Sequence, residues 1–117
     1  MTPFGHRLRE LRAERKRTLK DMAAALKVSS AYLSALEHGH RGKPSSGLVQ
    51  QIAAYFNLAW DDVDELRRLA ELSHPRVVVD TSGLDPLATE LANRLSESIE
   101  KLDRATLEKL LALLGER

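Results

Sequence analysis

The sequence predicts an all-α fold, on three observations. Apolar residues recur at helical spacing along most of the 117 residues. Ser, Thr, Asp and Pro stand in front of those runs, where helices begin. The one β-favouring run is Arg76-Val77-Val78-Val79-Asp80, and a lone strand cannot make a sheet. The expected organisation is a five-helix domain over 1–73, a linker or short strand over 74–84, and a helical hairpin over 85–117. A chain of this length supports one modest core with an appendage, and a second independent core is not expected.

The first helix is expected from about Gly5 to Lys16, the second from Thr18 to Leu26 and the third from Ser30 to Glu37. Leu19, Met22 and Leu26 lie on one face of the second, Val28 plugs the turn, and Leu33 and Leu36 supply the facing stripe of the third. Ala23 falls where these two helices cross, and its small side chain lets them meet at a steep angle. Ser29 is placed to cap the third helix by accepting from the N–H of Ala31 or Tyr32. His38 to Pro44 is too rich in Gly and Pro to be helical. Ser45 or Ser46 then caps a fourth helix with Leu48, Val49, Ile52, Ala53 and Phe56 inside. A fifth begins at Trp60; Asp61, Asp62, Asp64 and Glu65 suit the positive end of its dipole, Val63, Leu66, Leu69 and Ala70 face inward, and Ser73-His74-Pro75 ends it.

Asp85-Pro86 signals another start, with Pro at the first helical position. Ala88, Leu91, Ala92, Leu95, Ile99 and Leu102 form its stripe, and Leu107, Leu110, Leu111 and Leu114 form another behind a cap at Asp103. These stripes together with the valine run carry more apolar surface than a detached hairpin should expose. Val77, Val79, Leu91, Leu95, Ile99, Leu107, Leu110, Leu111 and Leu114 are therefore expected to form a dimerisation surface, the alternative being a hairpin packed on its own subunit. The valine run either pairs with its copy in another subunit or serves as an extended linker.

Residues 7 to 58 resemble the Xre family, whose helix-turn-helix domain is of the Cro/C1 type. Leu8 and Leu11 with Arg7, Arg12 and Arg15 resemble the family's basic first helix, Thr18 through Ala23 its second, Val28-Ser29 its turn, and Tyr32 through Gly39 its recognition helix. Pro44 and Leu48 through Phe56 resemble its loop and fourth helix. Two positions depart from the family pattern. Lys27 stands where Gly is usual in the turn, so a non-Gly residue is expected in the left-handed conformation, and Leu19 stands where Gln often contacts phosphate.

The resemblance implies a five-helix, lambda-repressor-like DNA-binding domain that lays its third helix in the major groove of duplex DNA. Carried over by position, Ser30, Ala31 and Ser34 would face the bases. Arg15, Thr18, Lys20, Ser29, Tyr32, His40, Arg41 and Lys43 would meet the phosphate backbone. The base-facing set lacks Arg, Asn and Gln, so discrimination would rest on DNA shape, on water, or on Arg41 and Lys43 reaching in from the loop. The implied function is a homodimeric, sequence-specific transcriptional regulator, a repressor before an activator, reading a palindromic operator. The alternative is an antitoxin-type protein whose hairpin neutralises a protein partner while its other half autoregulates by binding DNA.

The overall charge of +1 hides a separation of sign. Residues 1–59 carry ten basic against four acidic side chains, a net of +6, and residues 60–117 eight against thirteen, a net of −5. The basic half suits a polyanion. The absence of cysteine excludes disulfides and thiolate metal sites, and no apolar run approaches membrane-spanning length. A soluble protein of the bacterial cytoplasm is expected, associated with the nucleoid when bound to DNA. His38 and His40 lack a suitably spaced third metal ligand. With no Gly-rich phosphate loop, nucleophile elbow or paired-carboxylate site, neither catalysis nor a cofactor is expected.

Overall fold

The computed structural model describes residues 1–115. The chain divides into two compact units, Met1–Val77 and Val78–Arg117. The first holds α1 (Pro3–Glu14), α2 (Leu19–Leu26), α3 (Ser30–Glu37), α4 (Ser46–Tyr55) and α5 (Trp60–Glu71). The second holds α6 (Pro86–Ser98), a 3-10 turn at Ile99–Lys101, and α7 (Arg104–Leu113). No strand occurs among the described residues, and 77–81 have no regular structure. The strand reading of Val77–Val79 therefore finds no support within the chain, because no second extended segment supplies ladder hydrogen bonds.

The core of the first unit gathers Phe4, Leu8 and Leu11 from α1, Met22 and Ala23 from α2, and Leu33 and Leu36 from α3. Leu48, Val49, Ile52 and Phe56 at α4, with Leu66 and Ala70 of α5, complete it. α2 packs on α3 and α4, α1 on α3 and α5, and α4 on α5, so α3 is clasped from two sides while its outer face stays open. α1 starts two residues earlier than its apolar pattern suggested. Thr2 accepts from the Gly5 amide at 3.0 Å and Pro3 occupies the first turn, a combination that sets the boundary. Ser45, and not Ser46, caps α4, accepting from the Leu48 amide.

Four successive helices end alike. Lys16, Lys27, Gly39 and Asn57 each have positive φ. In each, the amide of the next residue bonds five residues back: Arg17 to Arg12, Val28 to Ala23, His40 to Ala35, and Leu58 to Ala53, at 2.9–3.0 Å. This is the Schellman termination, and Val28 and Leu58 tuck against the core just beyond it. Lys27, at φ 60° and ψ 42°, is left-handed as expected.

Where α1 meets the end of α3 the backbones nearly touch. A Cβ placed on Gly5 would lie 2.2 Å from the Glu37 carbonyl oxygen. The Thr2 amide and hydroxyl both donate to that same oxygen, at 3.0 and 3.2 Å. Below it, Arg12 reaches from α1 to the Glu37 carboxylate in a two-pronged ion pair whose side chains are 9% and 2% exposed. Farther along the chain, Ser73 closes the unit: its hydroxyl accepts from the Phe4 amide at 2.9 Å and donates to the Leu69 carbonyl.

In the second unit no described side chain is buried. The stripes of α6 and α7 exist, but they do not seal against each other. Leu91, Ile99, Leu111 and Leu114 are exposed, while Leu95 and Leu110 are half-buried. Helices of 13 and 10 residues with no third layer have nothing to close over them.

Two substitutions test these junctions by thermal or denaturant unfolding. Gly5→Ala drives a methyl into the Glu37 carbonyl and is expected to destabilise by about 1–3 kcal/mol. Lys27→Gly relieves the left-handed strain and is expected to stabilise by about 1 kcal/mol, net of a looser unfolded chain. Clear destabilisation by Lys27→Gly would contradict the strain at this turn.

Candidate nucleic-acid interface

The outer face of α3 is built by what is buried beneath it. Leu33, Leu36 and Glu37 point inward, which turns Ser30 and Ala31 to solvent and leaves Ser34 half-buried at the rim. Ser29 caps the helix by accepting from the Tyr32 amide at 3.0 Å, so the first turn presents its amides outward around that cap. The residues expected to face bases thus share one open arc of one helix.

α2 starts in a full capping box. Thr18 accepts from the Asp21 amide at 3.0 Å, and the Asp21 carboxylate accepts from the Thr18 amide at 3.1 Å. The Thr18 amide, helped by its hydroxyl and more weakly by Arg17 and Lys20, holds the Asp21 carboxyl below the ordinary aspartate pKa. Thr18 and Lys20 are exposed. On the other side of α3, His40, Arg41 and Lys43 are exposed on the loop to α4. The Arg41 guanidinium lies 5.8 Å from the centre of the Tyr32 ring.

The basic character expected of α1 is largely spent inside the molecule. Arg12 is buried in its pair with Glu37, and Arg7 lies 3.4–3.6 Å from Glu10, Glu14 and Glu65. Arg15 pairs with Glu14 at 3.4 Å and sits 5.4 Å over the Phe56 ring. Lys16, Arg17, Lys20, Lys27, Arg41 and Lys43 have no carboxylate within ion-pair distance among the described residues. Unpaired positive charge is therefore found at the α1–α2 turn, along α2 and its C-terminal turn, and in the loop after α3, segments that flank α3 in sequence, and on α1 only at the exposed Arg9. Arg17, not named from sequence, belongs here; its ring contact with Tyr55, 4.6 Å, fixes the start of α2 to the end of α4. The Arg15-Lys16-Arg17 run was the available signal for it.

Of the residues assigned to a dimer surface, Val77 and Val79 are 74% and 65% exposed and fall on opposite sides of the division between units. Leu91, Leu95, Ile99, Leu107, Leu110, Leu111 and Leu114 belong to the second unit, none of them buried. Among the described residues no helix is long and apolar enough to cross a membrane.

The chain is 38% identical over 63 residues to the uncharacterized HTH-type transcriptional regulator RghRB of Bacillus subtilis, 54% of this chain. It is 36% identical over 61 residues to the HTH-type transcriptional repressor RghR of the same organism, 52% of this chain. With the HTH-type transcriptional regulator DdrOP3 of Deinococcus deserti it shares 46% identity over 59 residues, 50% of this chain. In each case the match covers 45% of the relative's length. No solved structure matches the chain. Residues 3–67 match the family described as the helix-turn-helix domain, spanning α1 through most of α5. With α2 packed on α3 across a left-handed Lys27 turn, in an all-α arrangement that fits the Cro/C1-like fold, the chain belongs to the helix-turn-helix domain family.

Proposed function

We propose that this protein is a sequence-specific double-stranded DNA-binding transcriptional regulator, a homodimeric repressor that reads a palindromic operator in a bacterial cytoplasm. One observation carries the proposal: the exposed arc of α3, with Ser30, Ala31 and Ser34, is flanked in sequence by cations that no carboxylate neutralises among the described residues. Base edges would be met from that arc, and phosphates by Thr18, Lys20, Ser29, Tyr32, His40, Arg41 and Lys43, with Arg15 at the margin. The names of the relatives, one of them a repressor, support the same reading. The open stripes on α6 and α7 support self-association, since two helices with no third layer gain a core from a second copy. They equally suit the second reading, an antitoxin-type protein that seats a partner on those stripes and regulates its own synthesis through α3.

Titrating full-length protein with duplex DNA across a range of salt tests the first claim. A dimer neutralising on the order of ten phosphates is expected to give a log–log slope near −9, and a slope close to zero would contradict it. Lys43→Ala is expected to weaken all duplexes alike, whereas substitutions at Ser30, Ala31 or Ser34 change which sequence is preferred. For assembly, Leu110→Asp places a charge on the α7 stripe and is expected to convert a dimer to a folded monomer with much weaker operator binding. Sedimentation showing the variant still a tight dimer would move the function of the second unit toward a different partner.

A further inference from the structure

Three arginines of the first unit lie over aromatic rings, and their forks are not equally available. Arg15, over Phe56, is paired with Glu14. Arg17, over Tyr55, donates to the Tyr55 carbonyl oxygen at 3.4 Å. Arg41, over Tyr32, has neither a carboxylate nor a carbonyl partner among the described residues, so its donors are uncommitted.

The loop that carries Arg41 is fastened at both ends. Its first half is tied to α3: the Gly39 amide donates to the Leu36 carbonyl at 3.2 Å and the His40 amide to the Ala35 carbonyl at 2.9 Å. His38 Nδ1 donates to the Ser34 carbonyl at 2.8 Å, and the His38 and His40 rings stack 6.5 Å apart. Its second half ends at buried Pro44 and the Ser45 cap of α4. Only Arg41 to Lys43 span the gap, and Tyr32 gives Arg41 a face to lie on. Tyr32 stands on the flank of α3, between the buried Leu33 and Leu36 and the open arc of Ala31 and Ser34. A guanidinium resting over that ring, 5.8 Å from its centre, is already restricted and loses less further freedom on forming paired hydrogen bonds.

We propose that Arg41, held on the Tyr32 ring, reads a guanine in the major groove beside α3 and supplies the forked donor that Ser30, Ala31 and Ser34 lack. This rests on the DNA-binding reading above and assigns Arg41 a specificity role beyond phosphate contact. Guanine is the base whose major-groove edge presents two adjacent acceptors, O6 and N7, to which an arginine fork is complementary. Lys43 has no ring beneath it among the described residues and acts as a point charge on the backbone.

Selection of full-length protein on a random duplex pool, in parallel with Arg41→Ala and Tyr32→Leu, tests the assignment. The unaltered protein is expected to enrich a guanine at one fixed position of each half-site. Both variants should lose that preference and keep the rest of the motif. Placing 7-deazaguanine at that position removes the N7 acceptor. It should weaken the unaltered protein about ten-fold and leave Arg41→Ala nearly unaffected. Arg41 lies in an exposed loop, so Arg41→Ala does not depend on the core for folding. If Arg41→Ala lowers affinity for every sequence equally and preserves the enriched motif, Arg41 contacts phosphate and the assignment falls. If the unaltered protein binds duplex with no enrichment, base reading falls; if it binds no duplex at all, the DNA-binding reading itself is overturned.

Discussion

The junction at Glu37 governs how this fold presents α3. One residue at the end of α3 receives α1 twice, its carboxylate gripped by Arg12 and its carbonyl oxygen by Thr2, while Gly5 removes the side chain that would hold the backbones apart. An ion pair this deeply buried is not a reliable source of net stability, since desolvation offsets most of its attraction. It is instead a geometric constraint. Losing either partner strands a charge in the core, at about 3–5 kcal/mol, so α1 and α3 are held in the register that keeps both satisfied. Among the described residues no buried side-chain nitrogen or oxygen lacks a hydrogen-bond partner.

From that junction the remaining geometry follows in steps. α3, fixed at its C-terminal end by Glu37 and at its middle by Leu33 and Leu36, packs on α2, where Met22 and Ala23 are buried. The Schellman turn at Lys27 sets the angle of the approach, and Ser29 starts the helix where its first turn stands clear of the core. The same helix end that accepts Thr2 launches the loop holding Arg41, so packing inside the domain and the placement of the exposed cations share one anchor.

Much of this was legible in the sequence because it is periodic or local. The bounds of α3, the Ser29 cap and the left-handed Lys27 all depend on residues within a few positions of one another. What escaped the sequence depends on distant partners. Arg12 belongs by sequence to a basic helix, and its partner Glu37 lies 25 residues away. In the sequence Gly5 is only part of a helix start, and its requirement for close approach depends on α3 packing against it. The apolar stripes of α6 and α7 are plain in the sequence, but periodicity alone does not tell whether two faces meet, and here they remain open. Of the candidate contact residues on α3, Ser30 and Ala31 are exposed and Tyr32 and Ser34 are half-buried, whereas Arg7, Arg12 and Arg15 are paired with carboxylates inside the molecule.

The claim on which the account turns is that DNA engages the open arc of α3 and the segments beside it. Backbone amide shifts of the full-length protein, followed by NMR as its selected duplex is added, address this directly. The account predicts the largest changes at Ser29–Ala35, at Thr18–Lys20 and at His40–Lys43, with α5 little affected. Changes concentrated on α5 or α6, with α3 unmoved, would contradict it.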